Sequence, residues 1–136
     1  MPAQAGIPFG LFFSKDDQVK RTTYRTGLLA EAMCRWVLRF KGYRIVASRY
    51  KSPLGEIDIV ALRGDTVAMI EVKARPSERE AIEAILPRQR QRLQRAALDF
   101  LARHPHFNSH NLRFDIMLVA PKRWPTHMRD AWRPEG

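Results

Sequence analysis

The 136-residue sequence contains a single cysteine, Cys34, so an internal disulfide is excluded. Cys34 lies in the apolar part of a helical stretch and reads as a buried filler rather than a nucleophile. No apolar run approaches the ~20 residues that span a bilayer, and no lipidation signal accompanies the charge, which argues against a membrane role. The segment Ile7-Pro8-Phe9-Gly10-Leu11-Phe12-Phe13 follows no basic residue and is broken by Pro8 and Gly10. It is a poor signal peptide, and the expected compartment is the cytoplasm. There is no glycine-rich phosphate loop, no G-x-S-x-G turn and no catalytic Cys/His arrangement. His104, His106 and His110 share one short stretch, but Pro105 separates the first two and the spacing fits no closed structural zinc site. Acidic residues are scarce: 14 against 24 lysines and arginines, for a formal charge of +10. That surplus favours polyanions, through phosphate neutralisation and counterion release.

Chain length suits one domain with a modest core. Residues 1–20 lack periodicity and are expected to form a loosely ordered tail ahead of a single domain at 21–136. A first helix is predicted over residues 26–41, stopped by Gly42, with Leu29, Met33, Trp36, Val37 and Phe40 marking its core face. Residues 44–50 read as a strand, and residues 51–54 as a turn around Pro53. Ser77-Glu78-Arg79-Glu80 is a capping-box pattern opening a short helix. Pro87 starts a second helical stretch to residue 103, with Leu93, Ala96, Ala97, Phe100 and Leu101 facing inward. Residues 112–120, apolar apart from Arg113 and Asp115, suggest an interior strand. Asp115 is expected to pair internally, with Arg113, Lys122 or a backbone amide. Residues 124–136, rich in Pro and Trp, are expected to pack back on the body.

The most informative segment is Gly55 to Lys73. Two runs rich in Ile and Val flank Gly64-Asp65, a pair suited to a two-residue hairpin turn. That turn sets Ile57 opposite Val72, Ile59 opposite Ile70 and Ala61 opposite Ala68 on a wholly apolar face. The other face pairs Leu62 with Val67, Val60 with Met69, Asp58 with Glu71 and Glu56 with Lys73. A one-residue slip would mix polar and apolar side chains on both faces. Directly opposed side chains have Cβ atoms roughly 4.5–5.5 Å apart, where like charges destabilise. The Asp58/Glu71 pair therefore suggests a bound cation, and two hard oxygen ligands suit Mg²⁺ or Mn²⁺. Lys73 points to the same side, able to meet a phosphate or an attacking water. The bland alternative is a Glu56–Lys73 surface ion pair among solvated acids.

Asp58 followed by Glu71-Val72-Lys73 resembles the signature of the PD-(D/E)XK nuclease superfamily. With Gly27-Leu28-Leu29-Ala30-Glu31-Ala32, Gly42-Tyr43, Gly55-Glu56-Ile57-Asp58, Glu71-Val72-Lys73-Ala74-Arg75 and Arg113-Phe114-Asp115, the ordered set resembles the uncharacterised YraN-type bacterial family. That family is similar to archaeal Holliday junction resolvases. Ile57 stands where the superfamily name has proline. The resemblance covers about residues 21–132. It implies metal ligation by Asp58 and Glu71, with the Val72 carbonyl beside them, and a catalytic role for Lys73. It also makes Glu31 a further ligand or water-positioning acid. Read from the helix alone, Glu31 lies four residues before Arg35, the spacing of a surface ion pair, and both readings stand. Glu56 is divided between partnering Lys73 and joining the metal shell.

The implied fold is α/β: a restriction-endonuclease-like αβββαβ core whose mixed central sheet is flanked by helices. The implied activity is metal-dependent endonucleolytic hydrolysis of DNA, with branched or junction DNA a candidate substrate. The alternative is a nucleic-acid-binding module of the same fold without catalysis. Arg88, Arg90, Arg92 and Arg95 crowd one helical stretch as candidate phosphate contacts. A homodimer is one assembly the resolvase likeness allows.

Overall fold

A computed structural model describes the backbone of residues 15–134 and the side chains of residues 27–134. Its elements follow in the order α1 (Lys15–Phe40), β1 (Arg44–Ser52), β2 (Gly55–Arg63), β3 (Thr66–Ala74), α2 (Glu78–Glu83), α3 (Pro87–Arg103), a single 3-10 turn (Pro105–Phe107), β4 (Asn111–Val119) and β5 (Thr126–Trp132). The strands form one sheet in the order β1-β2-β3-β4-β5. Only β3 and β4 are parallel, and α2 and α3 make the crossover that joins them. This is the mixed α/β architecture expected, consistent with a restriction-endonuclease-like core, with one edge strand added.

The C-terminal segment packs back on the body as expected, and it does so as a strand not expected from the sequence: residues 126–132 pair antiparallel with β4. Trp132 stacks on Phe114 with ring centroids 4.2 Å apart. The strand hides in the sequence because an edge strand need not alternate cleanly, and this one carries His127, Arg129 and Asp130.

Helix α1 already runs from Lys15, since residues 15–26 contain neither proline nor glycine to stop it. Residues 1–14, most of the expected tail, lie outside the described residues. Of the predicted inward face of α1 only Val37 packs against the core. Ala30, Cys34 and Leu38 are buried, whereas Leu29, Trp36 and Phe40 are 68%, 57% and 84% exposed. The helix carries two apolar stripes, and the one that meets the sheet is Ala30, Cys34 and Leu38.

Helices cover both faces of the sheet. Under α1, Cys34 and Leu38 meet Ile59, Ala61, Ala68, Ile70 and Met117. Under α2 and α3, Ala81, Leu93, Ala96 and Phe100 meet Ile57, Val60, Val67, Met69 and Ile116. The capping box forms as predicted, Ser77 Oγ accepting from the Glu80 amide at 3.2 Å.

Asp115 is fully buried and fixes the far side of the sheet. Arg113 donates to both of its oxygens at 2.8 Å, His127 Nε2 lies 2.7 Å away, and the Asp130 amide donates at 2.9 Å. Arg113 also donates to the Tyr43 hydroxyl at 2.7 Å. These partners outweigh burial and hold the Asp115 carboxyl below its usual range.

Candidate active site

Residues 59–70 of the hairpin follow the predicted register: Ile59 opposite Ile70, Val60 opposite Met69, Ala61 opposite Ala68, Leu62 opposite Val67. Gly64 supplies the left-handed turn position at φ 59°. Beyond Ile59 and Ile70 the regular pairing stops, so Asp58 and Glu71 do not sit as rungs of a ladder. Instead Asp58 Oδ2 accepts the amide hydrogen of Val72 at 2.8 Å, a side chain bonding where strand backbone would otherwise serve. The alternation breaks at the same point. Ile57 packs in the cluster under α3 and Ile59 in the cluster under α1, so the predicted single apolar face is divided between two. Arg49, between the pairs Ser48–Ile59 and Tyr50–Ile57, has φ 53°, and the distortion spans both strands.

Glu71 is buried, 8% exposed, rather than presented on an open face. Burial comes first among the causes that push its carboxyl up to about 9. The adjoining Asp58 carboxylate adds to it, as hydrogen-bond partner and as like charge, while Lys73 pulls the other way. Gln89 Nε2, from the first turn of α3, donates to Glu71 Oε2 at 3.3 Å. Gln89 had no assigned role in the sequence; its signal is topological, since the crossover must bring the start of α3 back over β3. Glu56 is exposed and contributes a further like charge to Glu71. Among the described residues no ion pair joins Glu56 to Lys73.

Gly55 has a steric reason. A Cβ built there would lie 2.9 Å from the carbonyl oxygen of Arg92, so only glycine lets α3 lie this close to the start of β2. Arg92 itself borders an open cleft of about 520 Å³ with Lys51, Leu54 and Glu56.

The remaining candidates separate. Glu31 is buried and bonds Arg49 Nε at 2.9 Å, so its partner comes from β1 and not from Arg35. It nonetheless lies near the acids: burial, then the charges of Glu31 and Asp58, push the Cys34 thiol up to about 12. Among the described residues no group of three or more His, Cys, Asp or Glu side chains gathers as a metal cluster. Among the candidates, the two acids in contact are Asp58 and Glu71. Arg88, Arg92 and Arg95 are exposed on α3. Arg90 is engaged internally, donating to the Ile85 carbonyl at 3.1 Å and lying 5.8 Å from the centre of the Trp132 ring.

Residues 30–119 match the family described as Uncharacterised protein family UPF0102. The chain belongs to the UPF0102 family. It is 56% identical to the UPF0102 protein of Parvibaculum lavamentivorans over 111 residues, covering 82% of this chain and 84% of that one. It is 51% identical to the UPF0102 protein of Paramagnetospirillum magneticum, covering 80% and 88%. With that of Chelativorans sp. it shares 45% over 83% and 91%. The UPF0102 match takes in Glu31, Asp58, Glu71, Lys73 and Gln89 and ends at the last residue of β4. No described helix of this UPF0102 protein is long and apolar enough to cross a membrane.

Proposed function

We propose that this UPF0102 protein is a metal-dependent endonuclease that hydrolyses phosphodiester bonds in DNA, branched or junction DNA included. The observation that carries the reading is the Asp58–Glu71 contact. Two carboxyl groups meet in a half-buried place where, without a cation, Glu71 keeps its proton to about 9. The arrangement becomes favourable once a divalent ion replaces that proton. The residues fit Mg²⁺ or Mn²⁺: Asp58 and Glu71 would hold it, with the Val72 carbonyl as a further hard oxygen. When bound, such an ion supplies a water acidic enough to attack phosphorus, and positive charge for the phosphate oxygens.

The protein's own groups do the rest. Lys73 places an ammonium beside the carboxylates, where it orients the attacking water and offsets charge developing on the phosphate. Gln89 holds Glu71 by its second oxygen. The Val72 amide fixes one oxygen of Asp58 and leaves the other for the ion. Arg88, Arg92 and Arg95 give exposed cations along α3, suited to backbone phosphates and carrying no sequence information. The net charge of +10 supports the same substrate.

The test is cleavage of labelled single-stranded, duplex, flap and four-way-junction DNA in Mg²⁺ or Mn²⁺, by wild type, Asp58→Asn and Lys73→Ala. Metal-dependent cutting lost in both variants is the expected result. Folded protein that binds the panel without cutting would replace the enzyme by the binding module.

A further inference from the structure

The connection between β4 and β5 has a use that the hydrolytic site leaves unexplained. Residues 120–125, Ala-Pro-Lys-Arg-Trp-Pro, contain no acid. Trp124 is 67% exposed, while Trp132, a few residues on, is 6% exposed and stacked on Phe114. The loop holds Trp124 outward by its own geometry. Lys122 turns the chain at φ 61°, in the left-handed region, and Pro125 is buried against the body. A residue before proline is disfavoured in the helical region, which narrows the backbone choices of Trp124. Lys122 and Arg123, the two residues before it, are both exposed.

The sheet register places this loop. Leu118 pairs with Lys73 on one side and with Thr126 on the other, and Trp124 precedes Thr126 by two residues. Lys73 and the start of β5 are thus two strand spacings apart, about 10 Å. An exposed aromatic ring preceded by two cations, at the same sheet end as Asp58, Glu71 and Lys73, has the composition of a stacking platform for a nucleobase. Bases inside a duplex present their edges and not their faces, so the platform fits a base that is unpaired.

The geometry points to Trp124 as the binding site for an unpaired nucleobase close to the scissile phosphate, with Lys122 and Arg123 on the adjoining backbone. The inference rests on the nucleic-acid reading above, and it narrows the substrate to polynucleotides with a single-stranded or branched element beside the cut. A protein partner gripping the same ring is the competing use.

The experiment measures equilibrium binding without divalent metal, so that cleavage plays no part. The probes are a labelled oligothymidine, an abasic strand of equal length, and a duplex. Trp124→Ala is expected to weaken oligothymidine binding roughly 5- to 100-fold, from the usual worth of one stacked base, with Trp124→Phe close to wild type. Both variants should bind the abasic strand and the duplex as wild type does. Equal binding of oligothymidine by Trp124→Ala and wild type would overturn the platform while leaving the nuclease reading intact. An equal loss on the abasic strand would overturn it too, by showing that the ring acts through the loop's shape. Failure of wild type to bind any of the three would overturn both.

Discussion

The carboxylate of Asp58 and the amide of Val72 meet at 2.8 Å, and this bond takes over at the end of the β2–β3 ladder. Asp58 therefore has a structural task as well as its proposed place in catalysis, and the two can be separated. Asparagine keeps an oxygen for the amide; alanine keeps nothing. Asp58→Asn is expected to melt no lower than wild type and to lose at least about a hundredfold in cleavage rate. Asp58→Ala should also lose about 1–3 kcal/mol of stability, from an amide left unsatisfied. Equal stability of the two variants would remove the structural task.

Glu71 predicts a pH dependence. Its folded value of about 9 lies above the ordinary 4.5, so across that interval the metal-free folded protein holds a proton that the unfolded chain has released. Stability from this group is complete below 4.5 and is lost as pH rises towards 9. Calorimetry at pH 8 should find metal-free Glu71→Gln melting several degrees above wild type, with the gap closing at pH 4. Mn²⁺ added at pH 8 should raise the wild type and leave the variant unmoved. A gap that widens towards acid pH would contradict the assignment.

Gly55→Ala brings a methyl group to 2.9 Å from the Arg92 carbonyl, so α3 must move or β2 must bend. The expected cost is about 1–3 kcal/mol, the usual range for overpacking. Cleavage should fall with it, because Gln89 travels on the same helix. Chemical denaturation beside a cleavage assay tests the pair, and a fully active, equally stable variant would show the close approach to be dispensable.

Asp115→Asn leaves Arg113 and His127 without the anion they share. Breaking a buried ionic arrangement from one side typically costs about 3–5 kcal/mol. Urea titration should find a loss of that order. Asp115 lies on β4 opposite Ile70, so metal affinity of the folded fraction should stay as in wild type.

On α1, Leu38→Ala should cost about 2–5 kcal/mol, as large-to-small core changes do, while Trp36→Gln and Phe40→Gln should change stability by no more than about 0.5 kcal/mol. The reverse order in denaturation midpoints would show the exposed stripe to be the true core face.

Much of the hairpin was legible because period-two patterning and the Gly64-Asp65 turn are local signals. Ile59 opposite Ile70 and Val60 opposite Met69 follow from them directly. The end of the ladder was not, because nothing in the spacing of Asp58 and Glu71 says that a side chain will take an amide from the strand. Glu31 shows the same limit. Its helix offers Arg35 at ion-pair spacing, but burial against the sheet brings it to Arg49, which no periodicity could single out. On α1 the larger side chains suggested the core face, whereas the stripe that is buried is Ala30, Cys34 and Leu38. Gln89 and Gly55 gained meaning only once α3 was placed.

The parallel pairing of β3 with β4 carries a consequence for assembly. Glu56, Asp58, Glu71 and Lys73 lie on one hairpin, whose short-range contacts can form early. The carboxylate pair is enclosed only after the long crossover has docked α3, with the Arg92 carbonyl over Gly55 and Gln89 on Glu71. A chain halted after β3 would carry every acid of the site, yet leave Glu71 in water at its ordinary acidity and without Gln89. Under the proposed function, hydrolytic competence is in this way tied to completion of the whole domain, and incompletely folded copies would pose little hazard to nucleic acid.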